Sequence, residues 1–299
     1  MERKKNPVSR RELVAGEETT LLPFLLREVK GKSRNAVKNL LTHRQVLVEG
    51  AVCTRHDVEL KPGTRVTILP PDDPAPADLP FPICYEDDAL LAIEKPAGLL
   101  SVASDREKER TAWRMVSDAY RLKDPAGRLF VVHRLDQDTS GLLLFAKSVE
   151  IKEKLQKNWD SLVKERGYLA VVEGRPPEGE GVVRSWLRET KTHLVYSVDA
   201  PCKDGKEAIT EYKMVKTNGT YSLLELYLQT GRKNQIRVHM KDLSCPVVGD
   251  RRYGGSKSPI GRLCLHAHRL VFTHPVTGQL VTLKSRKPRD FNRLFRDEV

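Results

Sequence analysis

His133-Arg-Leu-Asp-Gln-Asp-Thr-Ser-Gly141 is a polar stretch between two apolar runs, Phe130-Val-Val132 and Leu142-Leu-Leu-Phe145. Runs this short and this apolar read as strands, and a polar segment closed by glycine reads as the loop that joins them. The same pattern recurs along the chain, at Leu90-Leu-Ala-Ile93, Tyr168-Leu-Ala-Val-Val172, Tyr221 to Leu228 and Gln235-Ile-Arg-Val238. Helical spacing is confined chiefly to Thr111–Leu122 and Val149–Leu162. Many strands and few helices predict an α+β domain on a large mixed, mainly antiparallel sheet. In that frame Asp136 sits in a loop between core strands, where a reactive carboxylate can be presented rigidly to a substrate. Asp138 reads as a turn aspartate ahead of Thr139-Ser140-Gly141. If Gln235–Val238 is a strand, alternation turns Arg237 to the face opposite Ile236 and Val238, toward a site or toward water.

Working outward, this domain is predicted over residues 82–283. Before it, Pro70-Pro-Asp-Asp-Pro-Ala-Pro-Ala-Asp-Leu-Pro80 holds too many prolines for helix or central strand and reads, over 70–81, as a stiff linker. Residues 19–69 form a smaller predicted unit. Within it Ser33 is a candidate N-cap for a helix from Arg34 to about Leu41, with Val37, Leu40 and Leu41 on one buried stripe. Val46-Leu-Val48, a Glu49-Gly50 turn and Val52 read as a hairpin, and Lys61-Pro-Gly63 leads into Val66-Thr-Ile68. Residues 1–18 are polar and basic and are expected to be a flexible arm. Residues 284–299 form a basic tail in which Phe291 to Phe295 is a candidate docking helix.

Charge narrows the classes of partner. Fifty-two Lys and Arg against forty Asp and Glu give a formal net charge of +12 in 299 residues. A surplus of that size favours a polyanion without choosing among RNA, DNA and an anionic membrane surface. Residues 19–68 alone hold nine Lys/Arg and four Asp/Glu, net +5, with Lys32, Arg34, Lys38 and Arg44 on or beside the predicted helix. No apolar stretch approaches the roughly 20 residues of a membrane span. The charged start, Met1-Glu-Arg-Lys-Lys5, is not followed by an apolar segment, so the expected compartment is cytoplasmic. Five cysteines, at 53, 84, 202, 245 and 264, include no C-x-x-C pair, which argues against a zinc site or a disulfide framework. His266-Ala-His268 has no third ligand at credible spacing, and no phosphate-cradling glycine loop occurs, so neither metal nor nucleotide cofactor is expected.

Five blocks then stand in order: Glu86-Asp-Asp88 leading to Lys95-Pro-Ala-Gly98; His133 to Gly141; Lys164-Glu-Arg-Gly-Tyr168; Gln229-Thr-Gly-Arg-Lys-Asn-Gln-Ile-Arg-Val-His239; and Pro246-Val-Val-Gly-Asp250 with Tyr253-Gly254. Together they resemble the RluA class of RNA pseudouridine synthases over essentially all of residues 82–283. The run from Ser33 through Val66 resembles the S4 RNA-binding module, an αL-type unit that docks on structured RNA, and that class uses such a module in front. The resemblance implies the pseudouridine synthase fold and an isomerase of uridines in structured RNA. Large-subunit ribosomal RNA is the leading expected substrate, with transfer RNA second, and a monomer without cofactor is expected.

The site residues follow from the same resemblance. Asp136 is implied as the carboxylate that acts at the anomeric carbon, as a covalent nucleophile or by initiating elimination at the sugar. Arg237 is implied as the guanidinium paired with Asp136, Tyr168 as the ring that stacks on uracil and a candidate to assist removal of the C5 proton, and Arg134 as the side chain that fills the space left by a flipped base. Lys32, Arg34, Lys38 and Arg44 are the expected phosphate contacts of the S4-like helix. The pattern departs from the usual one at Asn234, where His is common, and at Arg166, where Lys is usual. A noncatalytic RNA-binding or ribosome-assembly protein would not require Asp136, Tyr168 and Arg237 together. An RNA hydrolase would need a second positioned acid outside the Asp136/Asp138 loop.

Overall fold

The computed structural model describes residues 11–43, 45–49, 51–70, 79–105 and 107–295. Two compact units emerge, one made of Met1–Asp78 with Asp118–Gly127, the other of Leu79–Ser117 with Arg128–Val299. The chain therefore passes between them near residues 117 and 127 as well as at the predicted linker, most of which lies outside the described residues.

The first unit opens with β1 (Arg11–Val14), β2 (Thr19–Thr20), α1 (Leu21–Glu28) and α2 (Arg34–Thr42). It continues through β3 (Val46–Val48), β4 (Ala51–Val52), β5 (Glu59–Leu60) and β6 (Arg65–Ile68). A four-stranded antiparallel sheet in the order β1-β6-β3-β4 packs with both helices around Leu21, Phe24, Leu25, Val37, Leu41, Val46 and Val66. Ser33 caps α2 as its sequence suggests, its Oγ accepting from the Ala36 N–H at 3.2 Å. The arm predicted over 1–18 needs correction. Residues 11–14 pair with β6, and Ala15 is fully buried, because the sheet edge and the small core beneath it accept one more strand. Residues 1–10 lie outside the described residues.

The second unit begins with β7 (Ile83–Glu86), β8 (Leu90–Lys95) and α3 (Ala112–Lys123), whose last turns belong to the first unit. Then come β9 (Phe130–Val131), β10 (Ser140–Ala146), α4 (Val149–Lys157), α5 (Trp159–Leu162), β11 (Val163–Glu173), β12 (Glu180–Glu189) and β13 (Val195–Val198). The chain ends with β14 (Lys206–Thr217), β15 (Tyr221–Leu228), α6 (Gln235–Asp242), β16 (Leu265–Thr273) and β17 (Leu280–Lys284), followed by a 3-10 turn over Arg289–Phe295. Eleven strands form one sheet in the order β13-β12-β14-β15-β11-β16-β10-β8-β7, with β17 on β16 and β9 on β10. Only β10 and β16 run parallel among the described strand pairs, so the sheet is mixed and mainly antiparallel. The expected docking of the tail is present: Phe291 and Leu294 are buried against the main core.

One sequence reading fails here. Gln235–Val238 is the first turn of α6 and not a strand. Its buried residues, Gln235, Ile236, Val238, His239 and Met240, fall at i, i+3, i+4 spacing, which a four-residue window cannot separate from strand alternation. The Gln235 side chain fixes the turn, its Oε1 accepting from the Arg232 N–H and the Thr230 hydroxyl while its amide donates to Ile209 O.

Strand β10 is buried along its whole length, and its neighbours on both sides meet at its second residue. Gly141 pairs with Lys95 of β8 and with Ala267 of β16. Its φ is +116°, and a Cβ there would lie 2.1 Å from the Ala267 carbonyl oxygen. Both facts demand glycine, since neither backbone can withdraw. Gly141→Ala is expected to destabilise by on the order of 4 kcal/mol or more, read as a lowered urea midpoint or loss of soluble protein; an unchanged midpoint would refute the close approach.

Candidate active site

The loop before β10 is held from beneath by polar groups that have left water. The Lys95 ammonium, fully buried, donates to the carbonyls of Pro96 at 2.9 Å, Leu99 at 2.7 Å and Gln137 at 3.0 Å. Burial pulls its pKa down to about 8, opposed by the nearby charges of Asp138 and Asp136. Ser101 Oγ donates to Leu135 O at 2.8 Å and accepts from the Leu135 N–H at 3.0 Å. His133 Nε2 accepts from the Leu144 N–H at 3.1 Å, and burial lowers its pKa to about 4, so the ring is neutral and structural. These ties fix the backbone on both sides of Asp136.

A cavity of about 330 Å³ opens over this loop. Asp136 and Thr139 come from the loop, Tyr168 from β11, and Arg237 from the first turn of α6. The Asp136 side chain is 29% exposed, and burial raises its pKa, with Arg237, Arg134, Lys233 and Lys95 pulling it back down. Tyr168 is pushed up to about 12, first by burial, with Arg166 lowering and Asp136 raising it. Its phenol is therefore protonated at neutral pH. Arg134 lines the same cavity and is exposed beside Asp136.

Arg237 departs from the expectation. Its tight partner is Asp250, on which it forks through Nε at 2.6 Å and Nη2 at 2.8 Å, while Asp136 stands 4.0 Å from Nη1. Asp250 has no exposed side-chain surface and Arg237 has 11%. Nη1 also donates to Asn234 Oδ1 at 2.9 Å, and Asn234 donates through Nδ2 to the Tyr253 hydroxyl at 3.0 Å. The Tyr253 ring lies under the guanidinium, 5.0 Å from its centre. Asn234 adopts a left-handed backbone, φ 55°, which asparagine tolerates better than most residues. Asp250, Tyr253 and Lys95 stand within the five sequence blocks, but pattern alone assigns them no role.

The sequence-predicted residues Asp136, Tyr168, Arg237 and Arg134 thus come together. Lys32, Arg34 and Lys38 are exposed in the first unit, and Arg44 lies outside the described residues. Among the described residues no group of three or more His, Cys, Asp or Glu is placed to hold a metal ion, and the cysteines are free.

A family model described as RNA pseudouridylate synthase matches residues 89–242, which contain Asp136, Tyr168 and Arg237. The chain belongs to that family. It is 30% identical to an uncharacterized RNA pseudouridine synthase, YhcT, of Bacillus subtilis, over 88% of each chain. It is 33% identical to ribosomal large subunit pseudouridine synthase D of Xanthomonas campestris, covering 88% of this chain and 84% of that protein. The solved structure of human RNA pseudouridylate synthase domain containing 4 shares the fold, with TM-score 0.60, 24% identity, and coverage of 71% and 90%. The RluA-class resemblance carried by the five blocks is borne out at this level. The pseudouridine synthase converts uridine to pseudouridine in RNA, breaking the C1′–N1 bond, forming C1′–C5, and moving a proton from C5 to N1.

The shared guanidinium gives a pH test. Asp250→Asn removes the buried charge that holds most of Arg237, leaving more of its field on Asp136 and lowering the Asp136 pKa. The Asp136 carboxylate, followed by carbon NMR, is then expected to titrate at lower pH than in the unchanged protein, with a stability loss of about 3–5 kcal/mol in urea. A titration that stays put or moves up would contradict the charge-sharing geometry.

Proposed function

We propose that Asp136 is the carboxylate that acts on the target ribose, either attacking C1′ or initiating elimination at the sugar. The observation that carries this reading is the one cavity lined together by Asp136, Tyr168 and Arg237. It requires an ionised carboxylate close to the sugar, and the cations around Asp136 oppose the effect of its burial. Tyr168 stacks on the uracil. As a protonated phenol it is a hydrogen-bond donor in the resting site and a poor base, so removal of the C5 proton falls to it only if substrate binding changes that state. Arg237 keeps Asp136 ionised and aimed. Arg134, exposed next to Asp136, enters the RNA and fills the gap left by the extruded base, whose unstacking costs a few kcal/mol.

The target on this reading is a uridine in large-subunit ribosomal RNA. Support comes from relatives named ribosomal large subunit pseudouridine synthase, D in Xanthomonas campestris and C in Rickettsia bellii, the latter 37% identical over 71% of this chain. The first unit serves as an S4-like RNA grip, in which Lys32, Arg34 and Lys38 are exposed while Val37, Leu40 and Leu41 are buried. Arg34 and Lys38 stand at i, i+4 on the exposed side of α2, a spacing suited to successive phosphates.

Two measurements test these assignments. Asp136→Asn is expected to abolish turnover, scored by mass-neutral conversion with carbodiimide labelling, while leaving RNA affinity within a few-fold; substantial activity in a pure preparation would remove Asp136 from its role. Neutralising Arg34 and Lys38 together should weaken RNA binding evenly across sequences. It should also shallow the slope of log affinity against log salt by roughly 0.7 to 0.9 for each phosphate left without its cation. An unchanged slope would make this face merely solvated.

A further inference from the structure

A second cavity, of about 500 Å³, lies beside the first. Trp159, Arg166 and Leu228 line both, so those three side chains are a shared wall. The volume falls within the range of small-molecule sites, roughly 300–1,000 Å³. Its lining combines two aromatic surfaces, Trp159 and Tyr227, with acceptors from Asp160, Glu211 and Gln229.

The charges of this lining are already committed in a telling way. Glu165 pairs with Arg269 at 2.5 Å. The Arg166 guanidinium donates to the carbonyls of Leu228 at 3.2 Å and Gln229 at 3.0 Å, and the Lys164 ammonium donates to Ser161 O at 2.5 Å. Both cations aim donors at backbone carbonyls and keep their charge, which Asp160 and Glu211 balance. Glu211 accepts from the Gln229 amide and has further lone-pair capacity. With Lys164 and Arg166 offset by Asp160 and Glu211, and Glu165 by Arg269, the lining carries no net charge to draw a phosphate. It suits a flat, neutral group that carries hydrogen-bond donors.

We propose that this cavity is a second nucleobase subsite, which takes the base adjoining the isomerised uridine and favours one with an exocyclic amino group. Trp159 supplies the stacking face and Glu211 the acceptor for the amino group, which uracil lacks. Adjacency across the shared wall fits neighbouring nucleotides of a strand whose target base is turned into the first cavity. The inference rests on the reading of that first cavity as the uridine site.

The test uses the full chain and short RNAs with a single uridine, varying the nucleotide on each side among adenine, guanine, cytosine, uracil and an abasic residue. On one side, wild-type kcat/KM is expected to be roughly 5- to 100-fold higher with an amino-bearing base than with an abasic residue, the span that stacking on an aromatic ring provides. Glu211→Gln should narrow the preference over uracil and match wild type on the abasic RNA. Trp159→Ala should collapse the difference between base and abasic. A flat wild-type profile, or a profile that both variants reproduce, overturns the proposal.

A binding measurement separates it from the catalytic reading. With 2-aminopurine as the flanking base and Asp136→Asn protein, quenching on binding should occur and should be lost when Trp159→Ala is added. Equal quenching with and without Trp159 overturns the subsite whatever Asp136 does. Turnover by Asp136→Asn would instead count against the catalytic assignment and leave the flanking-base profile readable.

Discussion

Three backbone carbonyls converge on one buried ammonium, and the arrangement of the site depends on that convergence. Lys95 ends β8 where Gly141, the second residue of β10, pairs with it. Its ammonium reaches the loop after β8, through Pro96 and Leu99, and the loop before β10, through Gln137. An unpaired buried cation is very costly, and so are three unpaired buried carbonyls, so each side compels the other. The consequence reaches Asp136 one residue away, whose backbone carbonyl also accepts from the Thr139 N–H at 3.1 Å. The carboxylate is presented by a loop that has little freedom left.

Electrostatics in the cavity are set by division of charge. Burial alone pushes Asp136 toward the neutral acid, and four cations oppose it. Arg237 is the foremost of these, yet its fork belongs to Asp250, and only Nη1 is turned toward Asp136 at 4.0 Å. A guanidinium so divided holds its plane rigidly while exerting a moderated field. Such an arrangement favours fixed geometry over maximal stabilisation of the ionised form. The same cavity keeps Tyr168 protonated, so its phenol adds no negative charge beside Asp136.

How much of this the sequence carried depends on the range of each interaction. Strand β10 was legible because Leu142-Leu-Leu-Phe145 is apolar throughout and the strand is covered on both faces. The gathering of Asp136, Tyr168 and Arg237 in one cavity was legible through the order of five blocks, and the buried Phe291 through an apolar residue in a basic tail. Strand β1 was not, since Arg11-Glu-Leu-Val14 has mixed polarity and becomes a strand only against β6, more than fifty residues later. The first turn of α6 was misread because Ile236 and Val238 alternate in a window shorter than one helical repeat. The Arg237–Asp250 fork lay beyond reach for another reason. Sequence offers several acids to any arginine, and only the path of the chain after α6 selects Asp250.

The two departures from the family pattern prove to act on one stretch of chain. Arg166 grips the end of β15 through the carbonyls of Leu228 and Gln229, and its Nη1 lies where a Cβ on Gly231 would be only 2.4 Å away. Asn234, six residues past Leu228, closes the same connection at the start of α6, joining Arg237 to Tyr253. Both bonds leave one nitrogen, Nη2, so a lysine ammonium could serve the two carbonyls as Lys95 serves three, but it would bring no second nitrogen to Gly231. The β15–α6 connection forms part of the cavity wall and carries Arg237 at its far end. Arg166 and Asn234 thus hold the two ends of that wall, while Asp136 and its loop rest on the separate support of Lys95.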